Sequence, residues 1–509
     1  MNLDRRTPVL VGVGQMAERI DDPGYQAMSP VEMAAAAAQA ALDDCGASAV
    51  AAAIDTVAGV RQFEISGVIN APLGRSNNYP RSVAKRLGAA PARAILEIVG
   101  GQGPQHLINE LAGAIAEGRS EIAVIFGSDT TSTLRHFAAD VNQDDKPDFT
   151  ESVDGDLEDR GHGVEPLISR YTVIHGLVDA PTQYALFENA RRAGTGLGPA
   201  EYLRSMGELF APFTKVAAGN PFAAAPVVRS VDELITVTES NRMINEPYPR
   251  LMVARDQVNQ GAAAVLMSIE AARRLRVPEE KWVYLHGHAD LQEQSMLERP
   301  DLGHAPSAVM AVRDALNMAG IGVDDVATFD LYSCFPVPVF NICDGMGLAP
   351  DDPRGLTLTG GLPFFGGAGN NYSMHAVAET VARMRSAPGQ FGLVGANGGV
   401  LSKYSVGVYS TAPAQWRPDR GAKLQAQIDS GPTVPVTENA DGPGIVETYT
   451  VRRDGGRLTG IIVGRLDADD SRFLATTEDN ELIALLTDGD PVGKPVRVRS
   501  FEHGNRCSP

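Results

Sequence analysis

Short apolar runs alternate with alanine-rich or amphipathic stretches along the first 130 residues of the chain. The Ser29-Pro30-Val31-Glu32 segment predicts the start of a helix, because Ser29 can cap the helix and Glu32 completes a capping box. The alternation of strand-like and helix-like segments predicts a layered α/β fold. The runs typical of buried strands are Pro8 to Gly14, Ala51 to Val60, Ala94 to Val99 and Glu121 to Gly127.

The alternating pattern stops near residue 132 and resumes near residue 250. Two helical pieces are expected inside this insertion, around Tyr184 to Arg192 and Ala200 to Leu209. The apolar run from Gly261 to Met267 then predicts a return to the sheet. A second alternating section follows from Trp282 to about Tyr409, so two similar α/β halves are expected.

The last part of the chain has a different period. A segment rich in Pro, Gly, Gln and Asp predicts a linker over residues 416–443. After it, apolar residues recur at every second position, and Asp454-Gly455-Gly456 predicts a hairpin turn. We therefore expect an α/β domain over residues 1–415, with its insertion at about 132–249. A small five- or six-stranded β-barrel is expected over residues 444–509.

Charge and cysteine content narrow the class of protein. The chain has 509 residues, 43% of them hydrophobic, and a formal net charge of −19, which opposes binding to nucleic acids or anionic membranes. The four cysteines form no CxxC pair, which indicates free thiols in a reducing cytoplasm and no cysteine-based metal site. The first residues lack the apolar core of a signal peptide, and no segment is apolar enough to span a bilayer. We expect a cytoplasmic protein.

Two short motifs have both a functional and a structural interpretation. Gly12-Val13-Gly14 follows a strand and resembles part of a dinucleotide-binding fingerprint. That fingerprint needs a helix to begin at once, and the clear helix begins only near Pro30, so a glycine turn at the strand exit is preferred. His286 and His288 alternate on a predicted strand and could bind a metal. No third ligand is evident, so a pair on the strand surface is preferred.

Three glycine-rich stretches and one polar motif lie at characteristic places in the two halves. The stretches are Ile98 to Gly103, Gly360 to Gly367 and Gly395 to Gly399, and the motif is Asp330-Leu331-Tyr332-Ser333-Cys334-Phe335. In their order and spacing, residues 5–412 resemble the thiolase superfamily, nearest the sterol-carrier-type thiolases and the thiolase-like proteins of type 1. The resemblance implies the thiolase fold, with two βαβαβαββ halves layered α-β-α-β-α. The C-terminal module is similar to the OB-type domains that accompany sterol-carrier-type thiolases.

The reactive side chains of thiolases are missing from the positions that the resemblance indicates. The nucleophilic cysteine matches a position at or near Gly100, and the basic histidine matches Gly367. The second cysteine matches Ala396 or Asn397, and the residue that polarises a carbonyl matches Tyr332. Because a nucleophile cannot be replaced by glycine while covalent catalysis survives, conventional thiolase activity is expected to be weak or absent.

The resemblance also implies a ligand, coenzyme A or an acyl-CoA, for a protein of lipid metabolism. Free backbone N–H groups above helix N-termini suit a thioester oxygen or a phosphate. The residues expected to bind the ligand are Gly100, Gly101, Ser333, Gly366, Gly367, Asn397 and Gly398.

Two alternatives stay open. The first is an acyltransferase that uses a different residue set, in which Cys334, His375 and Tyr332 are the candidate catalytic residues. A Cys334–His375 pair would supply a thiolate, although His375 is expected inside a helix and Cys334 among apolar neighbours. The second is an interaction module that binds a partner protein through the C-terminal barrel. Thiolases usually pair through a strand close to the nucleophile loop, but a monomer is favoured here, with a homodimer as the alternative.

Overall fold

The computed structural model describes residues 3–66, 71–139, 146–164 and 168–509. The strands of the α/β part are β1 (Pro8–Ala17), β2 (Thr56–Gly59), β3 (Arg93–Leu96), β4 (Ile122–Asp129), β5 (Glu158–Asp159), β6 (Met243–Asn245), β7 (Tyr248–Pro249), β8 (Gln260–Ser268), β9 (Val283–Gln292), β10 (Val326–Leu331), β11 (Phe391–Gly398) and β12 (Lys403–Ser410).

The helices of the same part follow the strands in chain order. They are α1 (Pro30–Asp44), α2 (Tyr79–Arg86), α3 (Gly103–Ala116), α4 (Thr131–Ala139), α5 (Arg170–Ile174), α6 (Ala180–Thr195), α7 (Pro199–Gly219), α8 (Val231–Ile235), α9 (Ile269–Arg274), α10 (Pro306–Ala319), α11 (Pro336–Met346), α12 (Tyr372–Ser386) and α13 (Gly421–Asp429). The helix α1 begins with the predicted capping box, in which Ser29 Oγ accepts from the N–H of Glu32 and Glu32 accepts from the N–H of Ser29.

Ten strands are joined edge to edge in the order β10-β11-β12-β9-β1-β8-β4-β2-β3-β5. The two halves meet where β1 pairs with β9, at Val9 with Tyr284 and Leu10 with Val283. Helices α3 and α12 contact each other and strands of both halves, while α1 packs on β1 and β8 and α10 packs on β9 and β12. This arrangement confirms the predicted layered α/β class, in which helices pack against the strands of both halves.

The glycines of the first strand have a different role from the predicted turn. Strand β1 continues past Gly12 and Gly14 to Ala17, so the prediction of a glycine turn there was wrong. A Cβ at Gly12 would lie 2.0 Å from the Ala41 carbonyl oxygen, and one at Gly14 would lie 2.2 Å from the Ala37 carbonyl oxygen. The two glycines therefore let α1 pack directly against the strand backbone.

The C-terminal part is a closed barrel, as predicted. Its strands are β13 (Gly442–Asp454), β14 (Arg457–Leu466), β15 (Arg472–Thr477), β16 (Pro495–Phe501) and β17 (Gly504–Ser508), with helix α14 (Asn480–Asp488) between β15 and β16. The pairing β13-β14-β15-β17-β16-β13 closes a ring of five strands, and β6 and β7 extend it from β13. The predicted hairpin turn lies between β13 and β14. The segment predicted as a linker contains α13.

No helix within the described ranges is long and apolar enough to cross a membrane. All four cysteines are free thiols, as the sequence predicted, and all four are buried.

Candidate functional site

The first and third glycine-rich stretches and the Asp330–Phe335 motif meet at one place. A Cβ built on Gly101 would lie 2.0 Å from Tyr332 Oη and 2.7 Å from the carbonyl oxygen of Asn397. One built on Gly398 would lie 3.1 Å from the amide nitrogen of Gly101. The fold therefore brings together Gly100, Gly101, Tyr332, Asn397 and Gly398, at the N-terminus of α3.

The loop before α12 is tied to the same place by two polar side chains. Asn370 Oδ1 accepts from the N–H of Gly100 at 3.0 Å, and Ser373 Oγ donates to the carbonyl of Gly101 at 2.7 Å. Ser333 contacts the preceding part of this loop, where its Oγ accepts from the N–H of Leu362 at 3.3 Å. The predicted binding segments thus form one buried assembly.

The positions that the resemblance predicts for the nucleophile are poorly suited to a side chain. Gly100 has φ +149°, a conformation that residues with a Cβ rarely adopt, and a Cβ there would lie 2.0 Å from Gln102 Oε1. The side chain of Tyr332 occupies the space beside Gly101. A side chain at Gly100 would therefore need an unfavourable backbone conformation, and the space that a side chain at Gly101 would need is filled by Tyr332.

Cys334 lies beside Tyr184 and Asn397 in the buried interior. Asn397 Nδ2 donates to Tyr184 Oη at 2.6 Å and lies 4.0 Å from Cys334 Sγ. Burial raises the pKa of the Cys334 thiol to about 12, although Tyr184 and the nearby backbone amides favour the thiolate. The environment therefore keeps Cys334 as a neutral thiol at neutral pH.

His375 lies inside α12, as the sequence suggested, and is fully buried. Its Nδ1 is 2.7 Å from Gln15 Oε1, and its ring packs edge-on against Phe365 with 5.0 Å between the ring centroids. Burial lowers the pKa of His375 to about 3. The hydrogen-bond partner found for His375 in the described chain is Gln15 and not Cys334, and a catalytic Cys334–His375 pair stays a prediction.

Tyr332 has a neighbour on each side that fixes its ring. Its ring packs edge-on against Tyr372 at 5.4 Å between centroids, and its hydroxyl points at Gly101. Burial raises the pKa of Tyr332 well above that of a free tyrosine. A neutral phenol in this position can donate a hydrogen bond but cannot act as a base at neutral pH.

A cavity of about 490 Å³ that the sequence analysis missed opens beside the Gly360–Gly367 loop. Five arginines and the single acid Asp256 line it, together with Pro363 of the loop; the arginines are Arg135, Arg229, Arg242, Arg250 and Arg255. A second cavity of about 350 Å³ shares Arg135, Arg255 and Gln257 with the first. These five arginines and Asp256 are called the arginine pocket below.

Most of the charge in the arginine pocket is unbalanced. Arg135 forms an ion pair with Asp256. Within the described ranges, no other arginine of the pocket is paired with a carboxylate. Arg255 Nε is buried without a hydrogen-bond partner, and burial, followed by the charge of Arg250, lowers the pKa of Arg255. The local positive charge in a chain of net charge −19 is suited to an anionic ligand.

The backbone of the arginine pocket is attached to the assembly described above. The N–H of Ala254 donates to the carbonyl of Cys334 at 3.0 Å, and the N–H of Arg255 donates to the carbonyl of Leu362 at 3.1 Å. The carbonyl of Arg255 accepts from the N–H of Gly367 at 2.8 Å. Gly367, one of the predicted binding residues, is therefore hydrogen-bonded directly to the backbone of the arginine pocket.

Histidines at two other places have polar neighbours. His286 Nε2 lies 2.8 Å from the Ala412 carbonyl oxygen, and His288 Nε2 lies 3.1 Å from that of Arg417, so both imidazole rings are held by backbone carbonyl groups.

Glu97, His106 and Glu110 lie close enough together to hold a metal ion. Arg160 already binds both glutamates, however, with 2.6 Å contacts.

Comparison with known proteins gives matches over both parts of the chain. Residues 423–503 match the family described as thiolase-like protein type 1 additional C-terminal domain. The monomeric SCP2-thiolase like protein type 1 from Mycobacterium smegmatis is 57% identical, with full coverage of both chains and a TM-score of 0.86. No curated protein sequence matches this chain.

More distant solved structures share the fold. The acetyl-CoA acetyltransferase from Syntrophomonas wolfei is 14% identical, covers 80% of this chain and 99% of its own, and has a TM-score of 0.56. The dimeric peroxisomal thiolase of Saccharomyces cerevisiae is 11% identical, covers 80% of this chain and 98% of its own, and has a TM-score of 0.57. These likenesses show the thiolase fold. The full-length match at 57% identity establishes that the chain belongs to the SCP2-thiolase-like proteins of type 1.

Proposed function

We propose that this protein binds coenzyme A or an acyl-CoA and does not carry out conventional thiolase chemistry. The observation that carries the proposal is the arginine pocket, which lies against the Gly360–Gly367 loop. Guanidinium groups bind phosphates through two parallel hydrogen bonds, and coenzyme A carries three phosphate groups. We place these phosphates at Arg229, Arg242, Arg250 and Arg255.

The pantetheine arm would then extend from the arginine pocket toward the glycine loop. Pro363 lines the pocket, and the N–H of Gly367 is bonded to the carbonyl of Arg255. The thioester end would therefore come to rest near Gly366 and Gly367, outside the packed Tyr332 ring. This position explains how a thiolase-like frame can hold the ligand while the nucleophile position is filled.

The missing catalytic groups support the second half of the proposal. Thiolysis needs a nucleophile that becomes acylated and a base that activates the incoming thiol. Gly100 and Gly367 occupy the two matching positions, and the one nearby thiol, Cys334, is held neutral by burial. An acyl-CoA bound here would meet no thiolate.

Thermal unfolding with coenzyme A tests the binding. A ligand that binds only the folded state stabilises it by about 2.7 kcal/mol at a hundred times its Kd, so coenzyme A should raise the melting temperature. Pantetheine, which lacks the phosphates, should raise it far less. Arg250→Gln and Arg255→Gln should each weaken binding, and added salt should weaken it further because it screens charges. Acetoacetyl-CoA should not be cleaved.

A matched surface arginine provides the control. The Arg273 side chain is 63% exposed and does not line the arginine pocket, so Arg273→Gln should leave the coenzyme A response unchanged. Equal stabilisation by pantetheine and coenzyme A, or no response to coenzyme A at all, would contradict the proposal. Steady cleavage of acetoacetyl-CoA would contradict its catalytic half.

We also propose that the chain is monomeric, like the relative from Mycobacterium smegmatis. Strand β3 precedes the Gly100 loop, and β5 pairs with it at Ile95 with Glu158 and Leu96 with Asp159. The outer edge of β3 is thereby partly covered within the chain and less available to a partner's strand. Light scattering during gel filtration should give the mass of one chain, 53.9 kDa; twice that mass would contradict the proposal.

A further inference from the structure

The outer face of one barrel hairpin, formed by β16 and β17, carries three exposed arginines. Val496 and Val498 of β16 belong to the core of the barrel. Arg497 and Arg499 alternate with them, so their side chains are exposed on the opposite face. On β17, the exposed Arg506 lies directly opposite Arg499 in the antiparallel register. The three guanidinium groups therefore belong to one surface.

The charges of this surface have no direct partner within the chain. Four other arginines of the barrel each form an ion pair with a carboxylate; they are Arg453, Arg457, Arg465 and Arg472. In the part of the chain that the structure describes, Arg497, Arg499 and Arg506 form no ion pair. The acids at the border of the surface are exposed, and none of them pairs with these three arginines; they are Glu438, Asp441, Asp467 and Glu502.

The register makes this arrangement unfavourable for the free chain. Side chains directly opposite each other on antiparallel strands begin about 5 Å apart, and like charges at such positions destabilise a sheet. Arg499 and Arg506 occupy such a pair. Uncharged polar residues would serve the barrel at least as well at two exposed positions, so the pair indicates a role outside the fold.

Apolar side chains continue the same surface at the end of the hairpin. Phe501 is 58% exposed and occupies the next alternate position of β16 after Arg499. It pairs with Gly504, whose Cβ position is 3.3 Å from Ile174 Cδ1 of α5. Ile174 and its neighbour Val173 are 40% and 43% exposed. Contiguous exposed apolar groups bordered by polar residues mark protein–protein interfaces, where arginine and aromatic residues are enriched.

We propose that this surface binds an extended acidic segment of a partner protein. The surface is called the hairpin face and consists of Arg497, Arg499, Phe501, Arg506 and Ile174. Alternate residues of β16 are about 6.8 Å apart, which is also the repeat of alternate residues in an extended peptide laid along the strand. Acids at two alternate positions of the segment would pair with Arg497 and Arg499. An apolar residue at the next alternate position would cover Phe501.

A protein segment fits the hairpin face better than a single strand of nucleic acid does. Barrels that bind single strands use a basic groove in which several bases stack on aromatic side chains. The hairpin face has one aromatic ring, and aliphatic side chains lie next to it. A nucleic acid would also carry its negative charge past the acids at the border of the face. The proposed interaction is independent of the coenzyme A site proposed at the arginine pocket.

Fluorescence anisotropy with a fluorescein-labelled peptide and the full-length protein tests the proposal. The probe is a short serine-rich peptide with glutamate at two alternate positions and leucine at the next alternate position. The control peptide has glutamine in place of both glutamates. At low salt the acidic peptide should bind, and the control peptide should bind at least about tenfold more weakly. Added salt should weaken the binding of the acidic peptide, because it screens exposed charges.

Arg499→Glu separates binding from folding. It places a carboxylate opposite Arg506, so the melting temperature should not fall, whereas binding of the acidic peptide should weaken at least about tenfold. Arg457→Gln is the matched control, since Arg457 is an exposed arginine of the same barrel that is paired with Glu478. It should leave peptide binding unchanged. The coenzyme A response of Arg499→Glu should equal that of the wild type, which separates the two proposals.

Three results with the peptides would overturn the proposal: no binding of the acidic peptide up to about 1 mM, equal binding of both peptides, or binding that survives in Arg499→Glu. Tighter binding of an oligothymidylate than of the acidic peptide would also overturn it and would assign the hairpin face to nucleic acid. A dimer in light scattering that Arg499→Glu dissociates would overturn it in favour of a second copy of the chain.

Discussion

The contact between Gly101 and Tyr332 can be tested by a double-mutant cycle. Gly101→Ala would place a methyl group 2.0 Å from Tyr332 Oη, 2.4 Å from Tyr332 Cζ and 2.7 Å from the Asn397 carbonyl oxygen. Non-bonded heavy atoms prefer separations of about 3.5–4.0 Å, so both the tyrosine and the loop backbone must move. The variant therefore tests whether Tyr332 fills the space beside the nucleophile position.

The expected loss of stability in Gly101→Ala comes from overpacking of the interior. Added methyl groups in a packed interior cost about 1–3 kcal/mol, and we expect the upper end because a backbone carbonyl is among the contacts. Alanine also restricts the unfolded chain, which offsets about 0.4–1 kcal/mol of this cost. The offset applies because φ at Gly101 is not positive, so alanine can adopt the native backbone conformation. The net loss should be about 2 kcal/mol. In a Tyr332→Ala background two of the three close atoms are absent, so the loss should fall below about 1 kcal/mol.

Urea unfolding of the four proteins gives the coupling energy, which should be about 1–2 kcal/mol. Gly194→Ala is the control. Gly194 lies in α6 with no atom within 4 Å of its Cβ position, and alanine there should raise stability by about 0.5–1 kcal/mol. A loss below about 0.5 kcal/mol for Gly101→Ala, or the same loss with and without Tyr332, would refute the reasoning.

Three further predictions concern the thiols, one charge pair and one loop contact. All four cysteines are buried with pKa values raised to about 12, so Ellman's reagent at pH 8 should label none in the native protein and all four in guanidinium; rapid labelling of native Cys334 would contradict this. Burial lowers the pKa of His106, but Asp290 and two glutamates raise it by more, to about 9. The charged His106 therefore contributes its full stabilisation below about pH 6.5, and this stabilisation is lost as the pH rises through 9. The urea midpoint should fall over that pH range in the wild type but not in His106→Gln. Asn370→Ala removes partners from the backbone of Gly100 and Arg61 and should cost about 2–4 kcal/mol in urea unfolding, with a loss below 1 kcal/mol counting against it.

The sequence predicted those elements in which local pattern and tertiary role agree. The apolar runs at β4 and β8 are buried on both faces, and the capping box of α1 and the Asp454–Gly456 turn are local devices. Gly12 and Gly14 were misread because their function depends on contacts with Ala41 and Ala37 of α1, which are more than twenty residues away in the chain. A glycine has the same local appearance in a turn and in a close helix contact.

The arginine pocket could not be predicted, because its residues come from segments that are separate in the sequence. Arg135 follows β4, Arg229 precedes α8, and Arg250 and Arg255 precede β8. None belongs to a motif, and each alone is typical of a solvated surface.

The contact between Gly101 and Tyr332 and the charges of the arginine pocket need different explanations. Packing alone accounts for Tyr332 beside Gly101, because a large ring fills the vacated space. Packing does not account for Arg255, which lines the arginine pocket and whose Nε is buried without a hydrogen-bond partner. Replacing an unpaired buried charge by an apolar side chain is commonly neutral or stabilising, so such charges have no structural advantage. The position of Arg255 among the other arginines of the pocket, beside the Gly360–Gly367 loop, is what an anion-binding role requires and a purely structural one does not.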